Sequence, residues 1–321
     1  MKKISIVLPV YNEAEVISKF ADALYEVIDK LSNYQFEVIF CVEKSSDGTA
    51  EIVKEICINR KESIYHGMAR RFGHQNMLIA GMDRSSGDAV IMMDCDLEHP
   101  PSLIPTLLEK FEEGYDVVHT KRKYNDNVSL LRRMPSDIYY KIFSFLSSVR
   151  LEEGSADFRL ASRRCVDVFK NSIREQHQFL RGLFQWVGFE QCTVDFVSGE
   201  RGGGQSKYTF KKRILFAING IVAFSKFPLT ILTTIGCLVA AVSFIYGIYS
   251  LAAALFSDEI VLGWPSTISL IAFLGGLQLV ALGVIGRYIG EIVDEVKGRP
   301  LYIIQEEYQA EQNCDKRMNI N

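Results

Sequence analysis

Two carboxylates stand one residue apart in the stretch MMDCDLEHPP, where Asp94 and Asp96 follow the apolar run 89–93. Two carboxylates this close are stable as anions only if a cation lies beside them. Their hard oxygen atoms suit Mg2+ or Mn2+, which predicts a metal site. A simpler interpretation is also open, in which the acids fill a polar turn between a strand and the helix that Pro100 and Pro101 begin.

Apolar strands alternate with helical segments from residue 4 to residue 120. The predicted strands cover residues 4–10, 36–42, 88–93 and 115–120, and the predicted helices cover 12–31, a segment from about 49, 70–85 and 102–112. This alternation predicts an α/β domain of nucleotide-binding type, with a mostly parallel sheet covered on both faces.

Polar clusters follow three of the predicted strands, at residues 11–13, 43–47 and 94–98. In parallel sheets, ligands bind beyond the carboxyl ends of the strands. The three clusters are therefore expected to converge on one site, which favours the metal interpretation of Asp94 and Asp96.

Basic side chains supply the complementary charge for a phosphate-bearing ligand. The candidates are Arg122, Arg132, Arg159, Arg201 and Lys207. The last two flank a glycine-rich loop that predicts phosphate binding by backbone N–H groups and side chains, although a solvated linker would have the same composition. No P-loop motif is present, so a P-loop nucleotide hydrolase is not indicated.

Composition excludes several other classes of protein. The net charge of −3 gives no reason to expect nucleic acid as a partner. The seven cysteines are scattered and form no C-x-x-C pair, which indicates neither a disulfide framework nor a zinc site and fits a reducing cytosol.

Two stretches, 227–256 and 261–286, contain no charged residue. Each is long enough to cross a bilayer, although a buried helical hairpin is the alternative. Basic residues flank the pair but are absent from the SDEI loop between its helices, so the positive-inside rule places both termini in the cytoplasm. The preceding segment 208–227 predicts an interfacial amphipathic helix or a plain linker helix.

These features predict four parts. They are a cytosolic catalytic domain (1–207), an amphipathic segment (208–227), a membrane region (228–290) with helices at about 228–256 and 261–286, and a cytosolic tail (291–321). A fragment that ends before Phe227 is expected to fold by itself.

Several stretches together resemble family 2 glycosyltransferases of the polyprenyl-phosphate type. They are LPVYNE (8–13), SSDGT (45–49), RFGHQ (71–75), AGMDRSSGDAVIMMDCDLEHPP (80–101), GSADFRL (154–160), FLRGLFQWVGF (179–189), GGGQSKY (202–208) and GRYIGEIVDEVKGRPLYI (286–303). The resemblance implies a GT-A fold, a nucleotide-diphosphate sugar such as a UDP- or GDP-sugar, and a divalent metal. It also implies an undecaprenyl or dolichyl phosphate acceptor, inversion at the sugar carbon, a homo-oligomer and a role in cell-envelope glycans.

The resemblance also assigns residues. Pro9, Tyr11 and Glu13 would line the nucleoside pocket, and Asp94 and Asp96 form the family's Asp-x-Asp pair on diphosphate and metal. Glu98 stands where relatives usually have Gln, and its carboxylate adds a further candidate metal ligand. Glu43 and Asp47 belong to the predicted nucleotide-binding loop.

One departure concerns the second strand, after which relatives usually have Asp-Asp-Gly-Ser. This chain has Val42-Glu43-Lys44-Ser45, so one carboxylate stands where two are expected. Val42 cannot accept a hydrogen bond from a base or ribose, which leaves the choice of donor open.

The expected activity is transfer of one sugar to polyprenyl phosphate by a multi-pass protein at the cytosolic face of the plasma membrane. Asp157 is expected to orient the acceptor or a basic side chain, or else to form a structural ion pair. A processive polysaccharide synthase and an inactive membrane scaffold are the alternatives.

Overall fold

The computed structural model describes residues 1–123, 155–197, 227–256 and 263–309. These residues belong to two compact units. The first comprises 1–123, 155–197 and 300–309, and the second comprises 227–256 and 263–299.

An eight-stranded sheet organises the first unit. Its strands are β1 (Lys2–Val10), β2 (Tyr34–Val42), β3 (Ser63–Met68), β4 (Ala89–Met92), β5 (Val117–Lys123), β6 (Ser155–Ser162), β7 (Gln191–Val197) and β8 (Ile304–Gln309). Their order across the sheet is β7-β5-β6-β4-β1-β2-β3-β8. Strands β3, β2, β1 and β4 form a parallel block, whereas β6 and β8 run antiparallel to their neighbours.

Strand direction determines which residues meet at one edge of the sheet. The carboxyl ends of β1 to β4 point the same way, and so does that of β5, because β5 and β4 are both antiparallel to β6. The amino end of β6 lies at this same edge. Met92 pairs with Arg159, so continuing the register carries Asp94 towards Asp157.

Six helices complete the described part of this unit. They are α1 (Ile17–Ile28), α2 (Thr49–Asn59), α3 (His74–Arg84), α4 (Ile104–Glu112, after a 3-10 turn at Pro101–Leu103), α5 (Arg163–Asn171) and α6 (Leu180–Trp186). The strands of the parallel block are almost continuously buried, which is typical of strands covered on both faces.

The predicted α/β fold class is confirmed, with differences in detail. Helix α1 begins at Ile17 rather than Asn12, because Asn12 adopts a left-handed conformation with φ of 53°. Strand β3, with the sequence SIYHGM, was not predicted, since it is short and ends in residues with little strand preference. Residues 208–226 of the predicted interfacial helix 208–227 lie outside the described residues, and the four-part division stays a prediction.

Two long helices make up the described second unit: α7 (Phe227–Phe256) and α8 (Trp264–Lys297). Each is long and apolar enough to cross a membrane, with spans at Leu229–Tyr246 and Phe273–Lys297 in which no residue is buried. Helix α8 continues beyond the predicted end of the second span and ends where Gly298 adopts a left-handed conformation.

The chain beyond α8 adds a strand to the sheet, although the sequence analysis placed only a tail there. Strand β8 pairs with β3, Leu301 is buried, and the Ala69 N–H donates to the Ile303 carbonyl at 2.9 Å. Tyr302 donates to Asp83 of α3 at 2.9 Å. A fragment that ends before Phe227 therefore lacks an edge strand of its own sheet.

Helix α3 approaches β1 closely at Gly81. A Cβ atom added there would overlap the side chain of Val7, which is fully buried. We expect Gly81→Ala to lower the free energy of unfolding by about 1–3 kcal/mol, as overpacking does. In a double-mutant cycle read by denaturant unfolding, Val7→Ala should make Gly81→Ala less costly. Additive effects would contradict this packing.

Strand β8 gives a second prediction. A fragment of residues 1–226 should melt several degrees lower than the same fragment with residues 299–309 appended through a flexible linker, because β3 otherwise presents an unpaired edge. The control carries the same linker and a shuffled 299–309 segment. Equal melting temperatures for all three proteins would show that β8 adds nothing to the sheet.

Candidate active site

Three loops meet at the carboxyl edge of the sheet, after β1, β2 and β4. In the described part of the chain, the two non-glycine residues with positive φ lie in these loops: Asn12 at 53° and Leu97 at 64°. Such conformations are costly, and they cluster at functional sites where the surrounding structure holds them. Here they indicate that the turns after β1 and β4 have fixed shapes.

Side chains lock the first two loops together. The Asn12 N–H donates to Ser45 Oγ, and the Asn12 side-chain oxygen accepts the Ser46 N–H, both at 3.1 Å. Asp47 accepts the Ala14 N–H at 3.2 Å. The predicted nucleotide contact of Asp47 stays a prediction, and the contacts observed for its carboxylate are within these loops.

The three residues predicted to line the nucleoside pocket lie at the end of β1. Pro9 is buried within the strand, whereas Tyr11 and Glu13 are partly exposed beyond it. The guanidinium of Arg71 lies over the Tyr11 ring, 4.3 Å from its centroid. A cation held on an aromatic face is a stable arrangement, and it brings the loop before α3 to this side of the site.

Glu43 points into the protein at the end of β2 and is 2% exposed. Its Oε1 atom accepts the Phe72 N–H at 2.7 Å and also the Gly73 N–H. Its Oε2 atom lies 3.5 Å from Arg71 Nε. These contacts are with the loop before α3, and a nucleotide contact of Glu43 stays a prediction.

Asp94 forms an ion pair with His74 at the start of α3. His74 Nε2 lies 2.6 Å from Asp94 Oδ1, and each side chain keeps 32% of its surface exposed. Burial lowers the pKa of His74, but the Asp94 carboxylate outweighs it and raises that pKa to about 9. Burial raises the pKa of Asp94, but His74 outweighs it and lowers that pKa to about 2. Both groups are therefore charged at neutral pH.

A second histidine fixes the backbone of Asp94. The Asp94 N–H donates to His99 Nδ1 at 3.0 Å, and the same nitrogen lies 3.6 Å from Asp94 Oδ2. The buried His99 ring stacks on Phe158 with 5.3 Å between centroids. The strand end that carries Asp94 is thus held by backbone and side chain together.

The other two predicted metal ligands, Asp96 and Glu98, come shortly after Asp94 in the chain. Asp96 accepts the Glu98 N–H at 3.0 Å, and Glu98 accepts from Arg122 at 2.8 Å. The predicted phosphate-screening residue Arg122 is therefore paired with a predicted metal ligand. Burial, followed by the charges of Asp94 and Glu98, raises the pKa of Asp96. A cation beside Asp96 would relieve this crowding.

Asp157, at the start of β6, is held by two arginines. Arg181 donates to both of its oxygens at 2.9 and 2.8 Å, and Arg159 donates to Oδ1 at 3.1 Å. Burial raises the pKa of Asp157, but Arg181 and Arg159 outweigh it and hold that pKa well below its usual range. The ion pair anticipated for Asp157 is present, with Arg181 as its bidentate partner.

Arg159 is 2% exposed, and its guanidinium has several contacts inside the protein. It donates to the carbonyls of Ala156 at 3.1 Å and Leu180 at 3.3 Å, and lies over the Phe184 ring at 4.8 Å. Its predicted role in screening phosphate stays a prediction. Arg132, Arg201 and Lys207 lie outside the described residues.

Neither His74 nor Arg181 was among the site residues predicted from the sequence. Both lie in stretches that carry the family resemblance, RFGHQ and FLRGLFQWVGF. That context was the available signal. Their partners Asp94 and Asp157 stand 20 and 24 residues away in the sequence, too far for local spacing to identify the pairs.

The donor set fits a divalent ion that a diphosphate helps to bind. Within the described ranges, no group of three or more His, Cys, Asp or Glu side chains is arranged to hold a metal ion. Mg2+ is usually bound by one or two carboxylates together with substrate phosphates. Asp94 and Asp96 can supply those carboxylates.

Comparisons with known proteins agree with this architecture. The sequence profile of glycosyl transferase family 2 matches residues 5–169. The SfII prophage-derived bactoprenol glucosyl transferase of Shigella flexneri is 39% identical over 308 residues, covering 96% of this chain and 99% of the relative. The prophage bactoprenol glucosyl transferase homolog of Escherichia coli K12 is 38% identical, covering 94% and 98%.

Mannosyl-3-phosphoglycerate synthase from Rubrobacter xylanophilus aligns with a TM-score of 0.46 at 17% identity, over 69% of this chain and 73% of that one. The family profile spans more than half of the chain, and the two relatives above match nearly its whole length. The chain belongs to glycosyl transferase family 2 and is a glycosyltransferase with a GT-A-like fold.

Proposed function

We propose that the protein transfers one sugar, with inversion, from a nucleotide-diphosphate sugar to a polyprenyl phosphate at the cytosolic face of a membrane. The observation that carries the proposal is the Asp94–Asp96 pair at the end of β4, facing the start of β6. Glucose from UDP-glucose is the first donor to test, because the relatives are named bactoprenol glucosyl transferases.

The acceptor needs little activation. A phosphate monoester has a second pKa near 6, so at neutral pH it is largely the dianionic nucleophile and needs no strong general base. A bound Mg2+ or Mn2+ would stabilise the negative charge that grows on the departing nucleoside diphosphate. Asp94 and Asp96 would hold that ion, and His74 keeps Asp94 ionised.

Bringing an anionic acceptor to an anionic donor also requires positive charge. Arg122 and Arg181 lie at this edge of the sheet, with 27% and 31% of their side chains exposed. Each is oriented by a carboxylate, Glu98 and Asp157 respectively, and guanidinium groups are well suited to bind phosphate oxygens. Arg132, Arg201 and Lys207 remain proposed partners in this task.

A lipid acceptor accounts for the two apolar helices. A polyprenyl tail stays in the bilayer while its phosphate lies at headgroup level, so the enzyme must act at the membrane surface. We propose that α7 and α8 anchor the chain in the plasma membrane, with the catalytic domain and both termini in the cytoplasm. A homo-oligomer formed through these helices belongs to the same proposal.

The test is transfer by full-length protein in lipid nanodiscs that contain undecaprenyl phosphate, with labelled UDP-glucose, other UDP-hexoses and GDP-mannose as donors. We expect a lipid that carries a single sugar, formed only with Mg2+ or Mn2+. Asp96→Asn should lower kcat at least about a hundredfold, the scale of removing an electrostatic stabiliser. The control is Asp22→Asn, on an exposed position of α1.

Each alternative gives a different result. A long polymer would identify a processive synthase, and no transfer from any donor would indicate a scaffold. Full activity in excess chelator would refute the metal assignment while leaving the transferase assignment intact.

A further inference from the structure

The side chain of Glu43 binds the backbone of the loop before α3. This carboxylate is almost fully buried, and a single oxygen, Oε1, accepts the consecutive N–H groups of Phe72 and Gly73. A buried anion bound to two backbone donors at the start of a helix is a strong and well-oriented interaction. Glu43 therefore determines where α3 begins.

The conformation of the loop depends on Gly73. Its φ of 92° and ψ of 156° are accessible to glycine and costly for other residues, although a Cβ there would meet no atom within 4 Å. The Asn76 side chain also stabilises this loop, because it donates a hydrogen bond to the Phe72 carbonyl at 3.1 Å. The backbone at the start of α3 consequently has one orientation.

His74 is the first residue after this turn, and its ring reaches the site. Nε2 lies 2.6 Å from Asp94 Oδ1, and the next residue, Gln75, accepts the Leu180 N–H at 3.1 Å. Hydrogen bonds thus connect Glu43, at the end of β2, to the backbone of residues 72–73. The adjacent His74 ring in turn contacts Asp94, at the end of β4.

We propose that Glu43 is a positioning residue that acts through the 72–73 backbone to place His74, and that His74 fixes the orientation of the Asp94 carboxylate for a divalent ion. The inference rests on the proposed function and extends it. It gives Glu43 a role in metal binding in addition to the nucleotide contact expected from the sequence.

Outer partners of this kind typically change metal affinity by about 10–100-fold when they are removed. The structure supplies two conservative pairs of variants. In His74→Gln, the amide nitrogen replaces Nε2 as donor to Asp94, whereas His74→Leu has no donor. In Glu43→Gln, an oxygen remains to accept the two N–H groups, whereas Glu43→Leu has none.

The test measures Mn2+ binding to the full-length protein by electron paramagnetic resonance, in the presence of UDP and well below the melting temperature. We expect His74→Leu and Glu43→Leu to weaken Mn2+ binding by about 10–100-fold, with His74→Gln and Glu43→Gln recovering most of the affinity. His177→Gln, at an exposed position, is the control and should match the wild type.

Hydrogen exchange provides a readout that does not depend on metal. Protection of the Phe72 and Gly73 amides should fall in Glu43→Leu but remain in His74→Leu, because Glu43 acts before His74 in the path. If Glu43→Leu does not fold, comparing Mn2+ binding by His74→Gln and His74→Leu still tests whether the imidazole positions Asp94.

Two outcomes would overturn the inference, and they are distinguishable. Wild-type Mn2+ affinity in His74→Leu would remove His74 and Glu43 from metal binding and leave the proposed function standing. Failure of the wild-type protein to bind Mn2+ with UDP would refute the metal step of the proposed function and this inference with it.

Discussion

Repulsion among carboxylates at the carboxyl end of β4 is the constraint on which the surrounding structure depends. Asp94, Asp96, Glu98 and Asp157 lie close together beside this strand end. The structure pairs Asp94 with His74, Glu98 with Arg122 and Asp157 with Arg181, each at 2.8 Å or less. These partners come from α3, β5 and α6, so elements distant in the sequence must meet at β4 to balance its charge.

The same ion pairs also prepare the site to bind a metal ion and a diphosphate. Carboxylates that are already ionised and oriented require no rearrangement when a cation and a diphosphate arrive, and such preorganisation is the main source of electrostatic catalysis. Burial raises the pKa of Asp96, and the nearby charges of Asp94 and Glu98 raise that pKa further. The structural ion pairs and the proposed metal site are therefore two parts of one electrostatic arrangement.

Local sequence patterns predicted β1, β2 and β4 of the parallel block and the convergence of the loops that follow them, because strand periodicity and strand ends are local properties. Asp94 and Asp96 were predicted as one metal site for the same reason, since they are close in the sequence. The partners of Glu43 and Asp157 were not predicted, since they depend on how distant elements pack. Strand β8, IQEEYQ, lacks an apolar alternation and lies beyond the long helices, so its place in the sheet could not be predicted from its own residues.

The central claim is that the end of β4 holds a divalent ion and the donor diphosphate together. An anomalous difference map, recorded at the manganese edge from crystals grown with Mn2+ and UDP, tests it most directly. We expect one strong peak in the coordination shell of Asp96, shared with the diphosphate and beside Asp94. Bound UDP with no peak there, or a peak at a different part of the chain, would contradict the account.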